Sequence, residues 1–290
     1  MSIHEFMIAP FVDYGFMRRA LVACLALALG CGPIGVFLIL RRMSLMGDAM
    51  SHAILPGAAL GFLIAGYSLW AMSTGGLIVG LAVAIAAGVV SRTTTLREDA
   101  SLAGFYLISL AAGVLIVSKS GSNVDILHVL FGTILAVDTT GLVLVAGITS
   151  VTLVALSITY RPLVTECVDP MFLSAMRGRG SLYHILFLVL VVLNLVAGFQ
   201  VLGTLMAVGL MMLPAAAARL WAVEVWSLSV IAAAIAFASG FVGLLISFHY
   251  SLPSGPAVVL AAGAAYVVSI VAGPRGGLFR RYFPQPHFHH

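Results

Sequence analysis

The sequence predicts an all-α, polytopic membrane protein of about nine spans, with its N-terminus outside and its C-terminus in the cytoplasm. Three observations carry this. Of 290 residues, 62% are hydrophobic and 8% are charged, against about a quarter charged in soluble domains, so the chain lacks the polar side chains to cover itself in water. Apolar runs of about 20 residues, the length a helix needs to cross ~30 Å of hydrocarbon, recur from end to end. The basic residues gather in alternate breaks between those runs, as the positive-inside tendency requires. Membrane barrels show alternating strands instead, a pattern not seen here.

Residues 1–15 carry Glu5 and Asp13 and no basic start. No cleavable leader is expected, and the first run, 18–40, reads as a retained span. Runs at 51–71, 75–91, 101–118, 139–159, 184–200, 203–219 and 228–248 follow, with a ninth at 256–273. Nine crossings from an outside start place the breaks at 41–50, 92–100, 160–183, 220–227 and 274–290 in the cytoplasm. That assignment puts Arg41, Arg42, Arg92, Arg97, Arg161, Arg177, Arg179, Arg275, Arg280 and Arg281 within those breaks and Arg219 at the edge of one, so 11 of the 14 basic residues fall on the cytoplasmic side. Only Arg18, Arg19 and Lys119 remain outside, and this asymmetry sets the orientation. The net charge of +4 is thus a membrane-topology signal, and no nucleic-acid partner is expected.

Two segments stand apart. Residues 160–183 form the longest cytoplasmic break, and Val168 to Met176 can make a short helix closing at Gly178. Such a helix either docks on a soluble partner or is an ordinary amphipathic connector. Residues 119–138 are polar at both ends, and their apolar middle is too short to span. That segment is expected at the outer surface, or re-entering where protein covers it, with Asp125 and Asp138 facing water. No linker divides the chain, so residues 1–290 read as a single transmembrane domain. Gly57/Gly61 and Gly76/Gly80 have the small-residue spacing that lets helices approach closely, and are read as packing signals. Cys24, Cys31 and Cys167 make no framework, and the first two read as small core residues.

The chemistry is concentrated in Arg41-Arg42-Met43-Ser44-Leu45-Met46-Gly47-Asp48-Ala49-Met50-Ser51-His52. Positions four apart share a helix face, so Asp48 and His52 can hold one cation between them. Ionisable side chains inside a span are costly and by default functional. A carboxylate with a neutral imidazole suits divalent first-row metals, and two ligands leave a site from which the ion can depart. A helix start near Ser44 places His52 roughly 12 Å in, near mid-bilayer. Pro56, which lacks an N–H, is expected to open or kink the span nearby. The structural alternative is that Asp48 caps the helix while His52 bonds a backbone carbonyl. His128 and His249, with His4, fall near the outer end and are secondary candidates for passing metal inward. The terminal His287, His289 and His290 either bind metal on the exit side or are not native to the protein. Glu98 and Asp99 are expected to cap the span near Ser101, and Arg219 and Glu224 to lie at the cytoplasmic interface.

A phosphate-binding Gly-x-x-x-x-Gly-Lys-Ser/Thr loop is impossible, because the single lysine is Lys119, preceded by Ser118. His-Glu-x-x-His is also missing, so the chain is not read as an enzyme.

The motif from Gly35 through Arg41-Arg42-Met43-Ser44-Leu45-Met46-Gly47-Asp48 to His52, Pro56 and Gly57 closely resembles the signature of permease subunits of zinc and manganese ABC importers. The likeness continues in order through Glu98-Asp99-Ala100, Leu127-His128-Val129-Leu130-Phe131-Gly132, Leu213 to Arg219, and Ser254-Gly255-Pro256. It implies a homodimeric permease that joins two cytoplasmic ATPase subunits and receives metal from an extracytoplasmic binding protein. It further implies that Asp48 and His52 contact the metal, two such pairs facing each other across the dimer axis. The coupling helix against the ATPase is then Val168, Asp169, Pro170, Met171, Phe172, Leu173, Ser174, Ala175, Met176, Arg177 and Gly178. One departure stands out, since many members carry an Asp where this chain has Ser251.

The expected function is the bacterial inner-membrane subunit of an ATP-driven importer for a divalent transition metal. Its cargo is Zn2+ or Mn2+, with Fe2+ also tolerated, and no permanently bound cofactor is expected. Zinc is preferred on the number of outer histidines. Siderophore, haem or cobalamin cargoes fit a two-ligand site for a bare ion poorly. An ion-coupled secondary metal transporter needs no ATPase and should show internal repeats, which are not evident. An intramembrane hydrolase needs facing catalytic groups, and adjacent Ser51 and His52 on one helix do not supply them.

Overall fold

The computed structural model describes residues 6–66, 68–119, 137–168 and 180–278, which form ten helices. A short α1 (Ala9–Asp13) leads into α2 (Gly15–Leu40), α3 (Met46–Ala65), α4 (Leu69–Thr93) and α5 (Glu98–Lys119). Then follow α6 (Thr139–Val168), α7 (Gly180–Leu202), α8 (Thr204–Ala218), α9 (Val225–Tyr250) and α10 (Ser254–Ala272). No strand occurs among the described residues.

Helix α2 is the hub, and its neighbours reveal the direction of each span. Thr149 of α6 donates to the Ala26 carbonyl at 3.0 Å, and Tyr160 meets Phe37 edge-on, so α6 runs parallel to α2. On α7, Gly198 lies against Leu27 and Phe187 against Phe37, which makes α7 antiparallel. Gly240 and Ala233 of α9 face Cys24 and Gly32, another antiparallel pair. Gly35 abuts Met211 and Ala215 of α8. Elsewhere Gly57 meets Gly75 and Gly61 meets Ala71 between α3 and α4. Ser109 of α5 donates to the Ala53 carbonyl, and Gly113 meets Pro56. The spans α2, α4, α6, α8 and α10 therefore run one way, and α3, α5, α7 and α9 the other.

Eight of these helices are long and apolar enough to cross a membrane. The ninth, α8, has 15 residues, about 22 Å at 1.5 Å per residue, and makes the remaining return between α7 and α9. It starts abruptly because Gly203 takes φ 81, a conformation open to glycine but strained for other residues. Exposed Trp221 and Trp226 mark the end of the bundle predicted to be cytoplasmic, while exposed Trp70 and Tyr250 mark the other. Indole and phenol rings favour such interfacial positions.

Close helix contact depends on small residues. Lipid is as apolar as leucine, so helices in a membrane associate through packing and interhelical hydrogen bonds rather than through exclusion of water. Both glycine spacings read from the sequence serve this: Gly57 and Gly61 pack on α4 backbone, Gly76 and Gly80 on Ile54. At the centre, fully buried Asn194 of α7 donates to the Thr152 hydroxyl of α6 and to the Leu190 carbonyl, both at 2.8 Å. Cys24 and Cys31 are buried, unpaired core residues, as read.

Three boundaries differ from the apolar runs. Helix α3 occupies Met46–Ala65 rather than 51–71, because its first turn contains Asp48 and is invisible to hydropathy. Helix α6 continues to Val168 where the run ended at 159. Its extension carries fully buried Leu163 and Glu166, whose charge is matched inside the protein. Exposed Asp138 does more than face water, since its carboxylate accepts from the Gly141 N–H at 2.7 Å and caps α6. The readings for His4, Asp125, His128, the 127–132 motif, Asp169 to Gly178 and the terminal histidines lie outside the described residues.

Candidate metal site

The turn between α2 and α3 builds the site. The Arg41 N–H closes α2 on the Phe37 carbonyl at 3.0 Å, Arg42 takes a left-handed φ of 60, and the Met43 N–H returns to the Leu38 carbonyl at 2.9 Å. Buried Met43, Met46 and Met50 pin the turn to the bundle, and Gly47 sits against Met212 of α8. Residues 41–45 are thereby consumed before α3 begins. His52 lies about 9 Å along α3 from Met46 by helical rise, in the half of that helix nearer the basic end.

Asp48 and His52 converge as their spacing predicts. The Oδ1–Nε2 distance is 3.7 Å, with the His52 side chain 35% exposed and that of Asp48 67% exposed. The helix N-terminus favours a carboxylate in this first turn. Among the described residues the Asp48 carboxylate meets the His52 ring. His52 also lies beside Tyr106 of α5, ring centres 6.3 Å apart. Pro56 has no N–H to return to the His52 carbonyl, and its ring packs on Gly113. One edge of α3 is left partly or fully open along Asp48, His52, Leu55 and Ala59.

His249 stands at the opposite end of the bundle from this pair. Its Nδ1 lies 3.0 Å from the Leu245 carbonyl, and its ring stacks on Phe6 at 4.1 Å. Ser251 caps α9 with a left-handed φ of 53, a conformation that Asp or Asn adopts more readily than most residues. No group of three or more His, Cys, Asp or Glu side chains suited to a metal occurs among the described residues. Asp99 and Glu224 are exposed at helix starts, and the Glu224 carboxylate accepts from the Trp226 indole at 3.0 Å.

Sequence reasoning missed a second charged cluster. Arg41 reaches Glu166 of α6 at 2.9 Å, and the other Glu166 oxygen is 3.7 Å from His184 Nδ1 on α7. The Arg41 and His184 nitrogens are 3.4 Å apart, and the guanidinium lies 4.2 Å over the Phe187 ring. Arg41 is 7% exposed and Glu166 11%, so the arginine assigned to a cytoplasmic loop is inside the protein. The available signal was an acidic residue just beyond an apolar run and a histidine opening the next.

A model of the ABC 3 transport family matches residues 13–273. The chain belongs to that family. It is 32% identical over 273 residues to the manganese import system permease protein ScaB of Streptococcus parasanguinis, covering 93% of this chain and 96% of that protein. It is 34% identical over 284 residues to the manganese transport system membrane protein MntC of Halalkalibacterium halodurans, covering 98% and 96%. Among solved structures, PsaBC from Streptococcus pneumoniae in complex with Fab superposes with a TM-score of 0.84 at 30% identity, over 97% of this chain and all of that one. An inward-facing putative metal-chelate type ABC transporter shares the fold, with a TM-score of 0.68 at 16% identity. As an ABC 3 member the chain is a multi-pass bacterial membrane protein, the permease subunit of a metal ABC importer.

Proposed function

We propose that this permease carries Mn2+ inward as one half of a homodimer, with Asp48 and His52 as the cargo's contacts. The observation that carries the reading is the Asp48–His52 pair, 3.7 Å apart on an open edge of α3. Two donors satisfy neither a four-coordinate zinc nor a six-coordinate manganese ion. A carboxylate 67% exposed in a membrane protein also needs cover. A second copy meeting this edge supplies both, bringing a second Asp48 and His52 to one cation.

Manganese is favoured because relatives at 32% and 34% identity are named for manganese. The zinc preference rested on outer histidines, and the described one, His249, is turned to a carbonyl and a Phe6 ring. The chain works with cytoplasmic ATPase subunits and an extracytoplasmic metal-binding protein. ATP binding in the ATPase tilts the spans, so the pair faces the two sides in turn.

The test is metal uptake into proteoliposomes holding the permease, its ATPase and its binding protein, with manganese and zinc in competition. ATP-dependent manganese uptake lost in Asp48→Ala and His52→Ala, with one ion bound per two chains, is expected. Uptake indifferent to either substitution refutes the site. Uptake without the ATPase favours the ion-coupled alternative, and zinc outcompeting manganese reverses the choice of cargo.

A further inference from the structure

We infer that Tyr106 of α5 is the positioning residue that fixes the His52 ring as a metal donor. This rests on the proposed function above and adds the side chain that sets the geometry of that site.

Successive contacts dock α5 on α3 beside the donor. Tyr106, Ser109 and Gly113 fall on one face of α5, and they meet His52, Ala53 and Pro56 in turn. The Ser109 hydroxyl donates across to the Ala53 carbonyl at 3.2 Å, whereas those of Ser150, Ser239 and Ser269 turn back to carbonyls of their own helices. A Cβ added at Gly113 stands 2.7 Å from the Pro56 ring, so only glycine lets the helices come this near. Tyr106 is partly buried and packs against the main hydrophobic core, which makes its ring a fixed surface. That ring lies 6.3 Å from the His52 ring, centre to centre, with 30° between their planes, inside the range in which aromatic pairs attract.

His52 depends on this support because its own helix gives it little. Pro56 brings no N–H to the His52 carbonyl, so the backbone ladder of α3 is broken at the donor. The Asp48 side chain, 67% exposed and 3.7 Å from Nε2, is too free and too distant to hold the ring by a hydrogen bond. Nε2 is nonetheless the nitrogen turned toward Asp48, and so the one that shares a cation with it. Imidazole binds a metal along a lone pair in its ring plane, so a ring free to turn about its last side-chain bond loses the donor geometry. Groups that fix the ring of a metal-binding histidine are commonly worth about ten- to a hundredfold in affinity. Here the contact is ring on ring, so the aromatic face of Tyr106, and not its hydroxyl, is what the site uses.

The test uses the purified importer and reads the equilibrium affinity for Mn2+ together with the histidine-nitrogen coupling of the bound ion in pulsed electron paramagnetic resonance. Tyr106→Leu is expected to weaken binding about tenfold and to lose most of that coupling, as removal of a group that orients a ligand does. Tyr106→Phe keeps the ring and should bind within about twofold of wild type, with the coupling intact. Because Tyr106 acts through His52, Tyr106→Leu should cost nothing further in a His52→Ala background. Ser109→Ala removes the neighbouring tether and should weaken binding about threefold, the size of an average interhelical hydrogen bond, and again only while His52 is present. If Tyr106→Leu fails to assemble, Ser109→Ala decides on the same criteria. An unchanged coupling in Tyr106→Leu, a Tyr106→Phe variant as weak as Tyr106→Leu, or an equal loss in the His52→Ala background overturns the inference. A loss of affinity that follows thermal stability at constant nitrogen coupling overturns it too. Failure of the underlying function reads differently, as wild-type manganese binding indifferent to Asp48→Ala and His52→Ala.

Discussion

The contact between α3 and α4 lends itself to a stringent test, because the same backbone closeness is seen from both sides. A Cβ added at Gly57 falls within the contact radius of the Gly75 carbonyl oxygen and 2.6 Å from its carbon, and one added at Gly75 reaches the Gly57 carbonyl in return, its carbon 3.0 Å away. Ordinary contact starts near 3.4 Å, so Gly57→Ala parts the helices by at least about 0.8 Å, a movement that close-packed interiors resist. Backbone cannot swing aside as a side chain does. Each single alanine is expected to cost about 2 kcal/mol, in the usual range for overpacking. The double variant Gly57→Ala/Gly75→Ala is expected to cost about 3 kcal/mol rather than the sum, because the first methyl has already opened the space for the second. Equilibrium unfolding of the purified permease in mixed micelles measures all three values. Strict additivity, or a neutral Gly75→Ala, refutes the claim that this approach is backbone on backbone.

Further expectations follow from other contacts. Asn194→Leu removes two hydrogen bonds in the core and should cost about 1 kcal/mol in the same unfolding assay, near the average for interhelical hydrogen bonds in membranes. Gly30→Ala alone drives a methyl against the Asn194 amide, so it should be better tolerated in an Asn194→Ala background, which a double-mutant cycle will reveal. Pro56→Ala returns an N–H to the His52 carbonyl and should leave folding nearly unchanged while slowing manganese uptake. An uptake rate equal to wild type argues against a role for the break in α3. Exposed Leu45 and Leu252 mark the two ends of the bundle. Leu45→Cys should react with an impermeant maleimide only from the cytoplasmic side and Leu252→Cys only from outside, with reversed labelling refuting the orientation.

Much of the architecture was legible in the chain because a bilayer imposes one-dimensional rules. A helix must satisfy its own backbone and span a fixed thickness, so apolar run length alone revealed eight of the spans, and arginine placement supplied their orientation. Even α8, too short for a comfortable span, stood out because Gly203 and Arg219 bracket an unbroken apolar run. Boundaries were less legible where charge is matched inside the protein. Helix α3 begins with Asp48 in its first turn, and α6 runs on through Glu166 because Arg41 meets it.

Sequence by itself determined the class of the protein, the number and order of its spans and the Asp48–His52 pair, since i and i+4 share a face wherever a helix forms. Tertiary structure alone decided the pair's open edge on α3 and the meeting of Arg41, Glu166 and His184. Those three residues are 125 and 18 positions apart in order along the chain, and no local periodicity relates them. They come together because α2, α6 and α7 pack side by side with their ends in register, which is a property of helix packing rather than of composition.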